Sequence, residues 1–309
     1  MIRSISGAEE PRATTEAARG AKGVGMQQTR VVEIDADAFA DAFAHRSVAI
    51  RHHLTDHPLF TIDAIADLAD RLPPDSVRRE RGDLPLANYG SYVDVGDGPP
   101  SQTVRDVERN GVRISLRDIH QAPEYAELIN ECLDQVDELV ADREGGMTQR
   151  AGYLFITAPA STTPMHFDVE HSFLLQIKGV KHVYVAAFKD DPAALQREFD
   201  RYVDGRKCDF AAMQAVAEEF VLEPGVGVYL PSYVPHWVDT EAGISISFSI
   251  PFHTRYVERA EAVSRINKRM RRMHLSPRPA GASESVDKTK EAVIRSWLKL
   301  QEARKKLPT

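Results

Sequence analysis

The sequence predicts a mainly β fold, a jelly roll of the double-stranded β-helix kind, with α/β elements before it and a helical region after it. Three observations predict this. Six short apolar tracts separated by turn chemistry lie at 153–157, 172–177, 182–187, 219–222, 227–230 and 244–250, which is the texture of a sheet sandwich or barrel. After Phe252 the apolar period becomes that of a helix, and before residue 150 the two periods alternate.

Residues 1–25 are rich in Ala, Gly, Thr, Arg and Glu with no apolar period, so a disordered extension is expected, with Met26 as an alternative start. Tract 31–34 reads as a strand, 36–45 as a helix, 47–51 as a strand, and 63–72 as a helix ended by Pro73 and Pro74. Residues 94–100, Asp-Val-Gly-Asp-Gly-Pro-Pro, are turn chemistry. Behind Pro123, the residues Tyr125, Leu128, Cys132, Val136 and Leu139 recur at helical spacing, predicting one amphipathic packing helix. A helical insertion is expected over 191–217. Beyond the β region, Val257, Ala260, Val263, Ile266, Met270 and Met273 share one face up to Pro277 and Pro279. Val286, Val293, Trp297 and Leu300 then fall near heptad spacing, which predicts a homodimer contact through residues 284–307. The expected organisation is an extension (1–25), a β-helix domain with a helical N-terminal part (26–252) and a helical C-terminal region (253–309).

With 42% hydrophobic residues in 309, the chain can bury a large core. A net charge of -7 argues against a general nucleic-acid binder, and Arg269, Arg271 and Arg272 read as a solvated helical face. Cys132 and Cys208 stand far apart, without the spacing of a disulfide framework or thiolate zinc site. No apolar run approaches the ~18 residues that cross a bilayer, and the N-terminus lacks a secretory apolar core. These features lead to the expectation of a soluble cytoplasmic protein without membrane partners.

The chemistry concentrates in Thr163-Pro164-Met165-His166-Phe167-Asp168 and, about seventy residues on, Pro231-Ser232-Tyr233-Val234-Pro235-His236. On an extended segment, positions i and i+2 face one side, so His166 and Asp168 can grip one ion. A distant strand bringing His236 to the third corner completes a facial array with open positions, which suits Fe(II) with a bidentate co-substrate and O2. An H-x-D pair alone is a weak signal in a chain with eleven histidines; a surface hydrogen-bonded pair is the bland alternative. Lys181 is expected to point inward if Val183 and Val185 do, and a buried lysine needs an anion such as the distal carboxylate of 2-oxoglutarate. Thr163 can add a hydroxyl to that carboxylate. His171 and Tyr233 are candidates to face a substrate opening, and Tyr153 to line the co-substrate end. For Tyr153, core packing is the simpler reading, and for His171 a hydrogen-bonded surface role. His52, His53 and His57 form no ligand spacing.

The stretch from Thr163 through Gln176-Ile-Lys-Gly-Val-Lys181, with Glu223-Pro-Gly225 and Leu230-Pro-Ser-Tyr-Val-Pro-His236, resembles the cupin-like JmjC-type 2-oxoglutarate oxygenases over about residues 150–255. The nearest pattern is that of the asparaginyl hydroxylase of hypoxia-inducible factor. The resemblance implies His166, Asp168 and His236 as iron ligands, Lys181 and Thr163 as co-substrate residues, and hydroxylation, or N-demethylation, with release of succinate and CO2. This chain has Ser172 where that hydroxylase has an Asn, and Pro251 in place of an aromatic residue after the last core strand, so the substrate, whether protein, peptide or small molecule, does not carry over. Two rival readings are a catalytically silent cupin acting as an interaction or regulatory module, and a metal-dependent cupin that does not use 2-oxoglutarate.

Overall fold

The protein is described by a computed structural model covering residues 31–84, 95–188 and 191–305. The expected extension at 1–25 and the first residue of the 94–100 turn lie outside the described residues.

The N-terminal elements follow the expected order: β1 (Val32–Glu33), α1 (Ala36–Ala42), β2 (Val48–His52) and α2 (Ile62–Arg71). Two unforeseen charged strands come next, β3 (Val77–Arg81) and, after α3 (Pro100–Arg105) and α4 (Val107–Asn110), β4 (Val112–Leu116). The single helix expected through Tyr125 and Leu139 is two, α5 (Pro123–Asp134) and α6 (Asp137–Glu144), because Val136 leaves the helical region at φ -118° and ψ 3°. The break keeps Val136 buried and sets Asp134 and Asp137 on one Arg150 guanidinium.

The β region then runs β5 (Met147–Arg150), β6 (Tyr153–Thr157), β7 (Thr162–Phe167), β8 (His171–Lys178) and β9 (Lys181–Ala186). The insertion is helical as expected, with α7 (Pro192–Val203) and α8 (Phe210–Ala215). It returns to β10 (Ala217–Leu222), β11 (Val226–Leu230), β12 (Pro235–Thr240) and β13 (Ser245–Thr254), followed by α9 (Arg255–Arg272) and α10 (Glu284–Lys305). Pro251 therefore lies inside the last strand rather than after it. Proline is tolerated there because its carbonyl still serves the sheet, accepting from the Ala151 amide at 2.9 Å.

Two antiparallel sheets form the jelly roll, a nine-stranded one ordered β1-β2-β11-β8-β13-β6-β4-β3, with β5 on β13, and a four-stranded one ordered β10-β9-β12-β7. Between them lies an apolar cluster including Leu174, Val183, Val185, Val228 and Val238. The main core covers the other face of the large sheet, where Phe39, Ile65, Leu68, Ile129 and Leu133 from the helices meet Ile114, Leu154 and Phe248 from the strands. A third cluster joins Met165, Phe167 and Trp237 of the small sheet to Phe199 and Met213 of the insertion. The insertion thus plates the outside of the small sheet, whose inner face stays open to the interior.

In the C-terminal region Val257, Ala260 and Val263 are buried as the period requires, whereas Met273 lies past the helix end and is exposed. Ile294 is buried in α10, while heptad residues Val293 and Trp297 are exposed. Trp297 lies under the Arg269 guanidinium, 4.0 Å from its ring centre. None of the described helices is long and apolar enough to cross a membrane.

Candidate metal centre and its cavity

His166 and His236 stand directly opposite one another on the paired strands β7 and β12, so both side chains leave the same face of the small sheet. Asp168 follows two residues after His166, just past the end of β7. The backbone ties the two halves together, because the Tyr233 amide donates to the Asp168 carbonyl at 2.7 Å. Tyr233 makes that bond from the left-handed region, at φ 63°, between Pro231 and Pro235, a conformation that a bulky residue holds only when its surroundings enforce it.

One nitrogen or oxygen from each of His166, Asp168 and His236 falls within 4.8 Å of the others, the one such group among the described residues. The Nε2 atoms of His166 and His236 lie 3.8 and 3.5 Å from Asp168 Oδ2. Each imidazole has its Nδ1 within hydrogen-bond distance of a carbonyl two residues back, His166 to Pro164 at 2.9 Å and His236 to Val234 at 3.0 Å. A carbonyl can only accept, so Nδ1 carries the proton and both Nε2 lone pairs are left for an ion. Burial, together with the neighbouring His166, lowers the His236 pKa to about 4 and keeps that ring neutral. Two imidazoles that present Nε2 and a carboxylate on one side, with a cavity on the other, are a donor set that Fe(II) fits.

Thr163 is three residues from His166, so simple alternation would send it to the opposite face. The register between β7 and β12 shifts, with Val238 opposite Thr163 and His236 opposite His166. The extra residue in β7 falls at Pro164-Met165, a place where proline's missing N–H is tolerated. This bulge returns Thr163 to the cavity face.

Lys181 opens β9 with its side chain inward, alongside Val183 and Val185, and all three are buried. On β12, Thr240 pairs with Lys181 and His236 with Val185. Four residues of strand, about 13 Å at the usual rise, therefore separate the lysine row from the histidine row. Its ammonium donates to Ser247 Oγ at 2.8 Å and lies over the Phe155 ring; no carboxylate pairs with it among the described residues. Burial, with Arg113 adding to it, pushes the Lys181 pKa down to about 7. Gly179 makes the turn into β9 at φ +72°, where an added Cβ would sit 2.3 Å from the Ile244 carbonyl oxygen. Gln176 braces this turn by donating from Nε2 to the Lys178 and Gly179 carbonyls.

The triad, Thr163 and Lys181 all line one cavity of about 430 Å³ between the sheets. Tyr153 lines it too, as do Ser172, whose hydroxyl meets Ser249 Oγ at 2.9 Å, and Pro251. Sequence reasoning missed five further charged groups on the wall: Glu80 and Arg113, paired across β3 and β4, Arg78 on β3, Arg117 just beyond β4, and Glu170. Burial, and then Asp168, raise the Glu170 pKa. The signal that could have found Arg113 was the alternation Arg113-Ile114-Ser115-Leu116, whose apolar members are fully buried while its polar members face the cavity.

Two sequence candidates lie elsewhere. His171 is fully buried on the other face of the large sheet, where its Nε2 meets Glu144 at 3.0 Å and its Nδ1 meets the Tyr229 hydroxyl at 2.8 Å. Strand parity turns it away from its cavity-lining neighbour Ser172. Tyr233 packs its ring on Phe199 and its hydroxyl against the Val257 carbonyl, instead of facing an opening. His52 is buried, and His53 pairs with Glu33 at 2.7 Å.

Residues 126–260 match the family described as JmjC domain, and over that stretch the chain is similar to JmjC-type domains. Among solved structures, the Escherichia coli ribosomal oxygenase YcfD is similar at 14% identity, over 86% of this chain and 67% of that one, with a TM-score of 0.43. The same protein in complex with cobalt and 2-oxoglutarate is similar at 15% identity, with the same coverage and a TM-score of 0.44. No curated protein sequence matches this chain.

Proposed function

We propose that this chain is an Fe(II)- and 2-oxoglutarate-dependent dioxygenase that hydroxylates a carbon of a protein, peptide or small-molecule substrate and forms succinate and CO2. One observation carries the reading. Three metal-competent side chains and a buried lysine with no carboxylate partner among the described residues face the same cavity, about four strand residues apart. A lysine side chain and a five-carbon dicarboxylate laid end to end bridge such a gap, with the oxo-acid end at the metal. The JmjC match over 126–260 supports the same reading.

Fe(II) held by His166, Asp168 and His236 would activate O2, which is the oxidant, and the oxidative decarboxylation of 2-oxoglutarate would accompany oxidation of the substrate. The chain's own side chains do the rest. His166 and His236, oriented by their Nδ1–H bonds to carbonyls, present Nε2, and Asp168 adds the negative charge that favours a divalent cation. Lys181 and Thr163 hold the distal carboxylate, which fixes the register of the co-substrate along the cavity. Leu174, Val183, Val185 and Val238 keep water from the space between the two ends. Tyr153, Glu170 and Pro251 line the same cavity and are available to a substrate.

The test is anaerobic incubation with Fe(II) and 2-oxoglutarate followed by O2, with succinate measured for the wild type, Asp168→Ala and Lys181→Ala. Succinate that depends on both residues is expected. Iron-dependent binding of 2-oxoglutarate together with succinate formation is absent from a silent cupin module. Metal binding without 2-oxoglutarate binding would instead select the other metal-dependent cupin.

A further inference from the structure

The wall opposite the small sheet places a second buried cation beside Lys181. Arg113 and Glu80 face each other across β3 and β4, with side chains only 12% and 16% exposed, and they form an ion pair. From there the Arg113 guanidinium reaches across to the small sheet and donates from Nη1 to Thr163 Oγ1 at 2.7 Å. Its Nε is buried with no hydrogen-bond partner, which in a native interior calls for an explanation. Arg113 and Lys181 are also close enough for the guanidinium to oppose protonation of the lysine.

Arg78 and Arg117 line the same cavity further along β3 and β4. With Lys181 protonated, the group formed by Lys181, Arg113 and Glu80 by itself carries a net charge of +1. One more carboxylate neutralises it. We infer that Arg113 is a second anchor of the co-substrate's distal carboxylate, so that the site selects a dicarboxylate over a 2-oxo monoacid through two cations rather than one. This rests on the dioxygenase reading above and adds to it a residue on β4, outside the strands that carry the triad. The parts have matching roles. Thr163 accepts from Arg113 and keeps its own hydroxyl proton for the carboxylate. Lys181 acts as a point charge, and the planar guanidinium offers directed donors. Glu80 is a positioning residue that holds the guanidinium in place.

The test uses the full chain loaded with Mn(II) under anaerobic conditions, with binding of 2-oxoglutarate and of 2-oxopentanoate, which lacks the distal carboxylate, followed by calorimetry. Arg113→Met alone would leave Glu80 unpaired beside the ligand. The deciding variant is therefore Glu80→Gln with Arg113→Met, which removes the guanidinium and keeps the local net charge at +1. It is expected to weaken 2-oxoglutarate at least tenfold and to leave 2-oxopentanoate within about twofold of the wild type. Arg113→Lys, which keeps the charge without the planar donors, should fall between them. A double variant that binds 2-oxoglutarate within twofold of the wild type overturns the inference, as does an equal loss for both ligands, which marks a merely structural role. If the Mn(II)-loaded wild type binds no 2-oxoglutarate, the dioxygenase reading itself fails.

Discussion

Replacing Lys181 by Met should make the ligand-free protein more stable while destroying its capacity to bind 2-oxoglutarate. The ammonium sits in a site that is 4% exposed, with one hydroxyl as its hydrogen-bond partner. Its pKa falls from 10.5 to about 7, chiefly through burial. At 1.36 kcal/mol per pH unit, that displacement opposes folding by on the order of 4 kcal/mol at pH 7.5. Losing the hydrogen bond to Ser247 returns about 1 kcal/mol of this, and the Ser247 hydroxyl still donates to Gln176 Oε1 at 2.7 Å. A net gain of roughly 2–3 kcal/mol, or about 4–6 °C in melting temperature, is expected for the Met variant at pH 7.5. The sign with pH follows from linkage. The folded pKa lies below the unfolded one, so between about pH 7 and 10.5 the unfolded wild type binds more protons and its stability rises with pH. The advantage of the Met variant should therefore shrink to around 1 kcal/mol or less by pH 9.5. Calorimetric melts of metal-free, ligand-free protein at the two pH values measure this. A Met variant that melts at or below the wild type at pH 7.5, or one whose advantage grows with pH, would refute the assignment of Lys181 as a buried, unpaired cation.

Four further outcomes follow from the same geometry. Mn(II) at a hundredfold excess over its dissociation constant should stabilise the wild type by about 2.7 kcal/mol, and Asp168→Ala should lose that shift; if the shift persists in the variant, the metal binds elsewhere. Affinity for 2-oxoglutarate should be flat below pH 7 and then fall as pH rises, towards tenfold per unit, because a deprotonated Lys181 must take up a proton to meet the carboxylate; calorimetry in buffers of different ionisation enthalpy counts that proton. Gly179→Ala should cost more than about 2 kcal/mol in urea denaturation, since the residue needs a positive φ and its Cβ would meet the Ile244 carbonyl; an unchanged midpoint would show that the turn can relax. Truncation at about residue 280 should halve the mass in solution if α10 forms the expected homodimer, with exposed Val293 and Trp297 as the contact; a monomeric mass in both forms defeats that expectation.

The sequence by itself determined the elements whose period is imposed by one buried face. Six of the eight strands between residues 153 and 254, the helical insertion and the two C-terminal helices were legible because apolar residues recur where one side of each meets the core, whereas β7 and β12, which carry His166 and His236, were not among the apolar tracts. The H-x-D pair was legible for a related reason, since i and i+2 on a strand must share a face. Longer-range facts needed the tertiary structure. The bulge at Pro164-Met165, which turns Thr163 inward, depends on how β7 registers against β12, and register is a property of two strands. Strands β3 and β4 were not anticipated, because their polar residues face a cavity that only the closed sandwich creates. His171 and Ser172 are neighbours in sequence yet lie on opposite sides of the large sheet, one in the core and the other in the cavity. The convergence of Arg113 with Thr163 and Lys181 joins residues from three strands in two sheets. Pairwise sequence spacing carries no information about such a meeting, which is settled by sheet order and by the space left between the sheets.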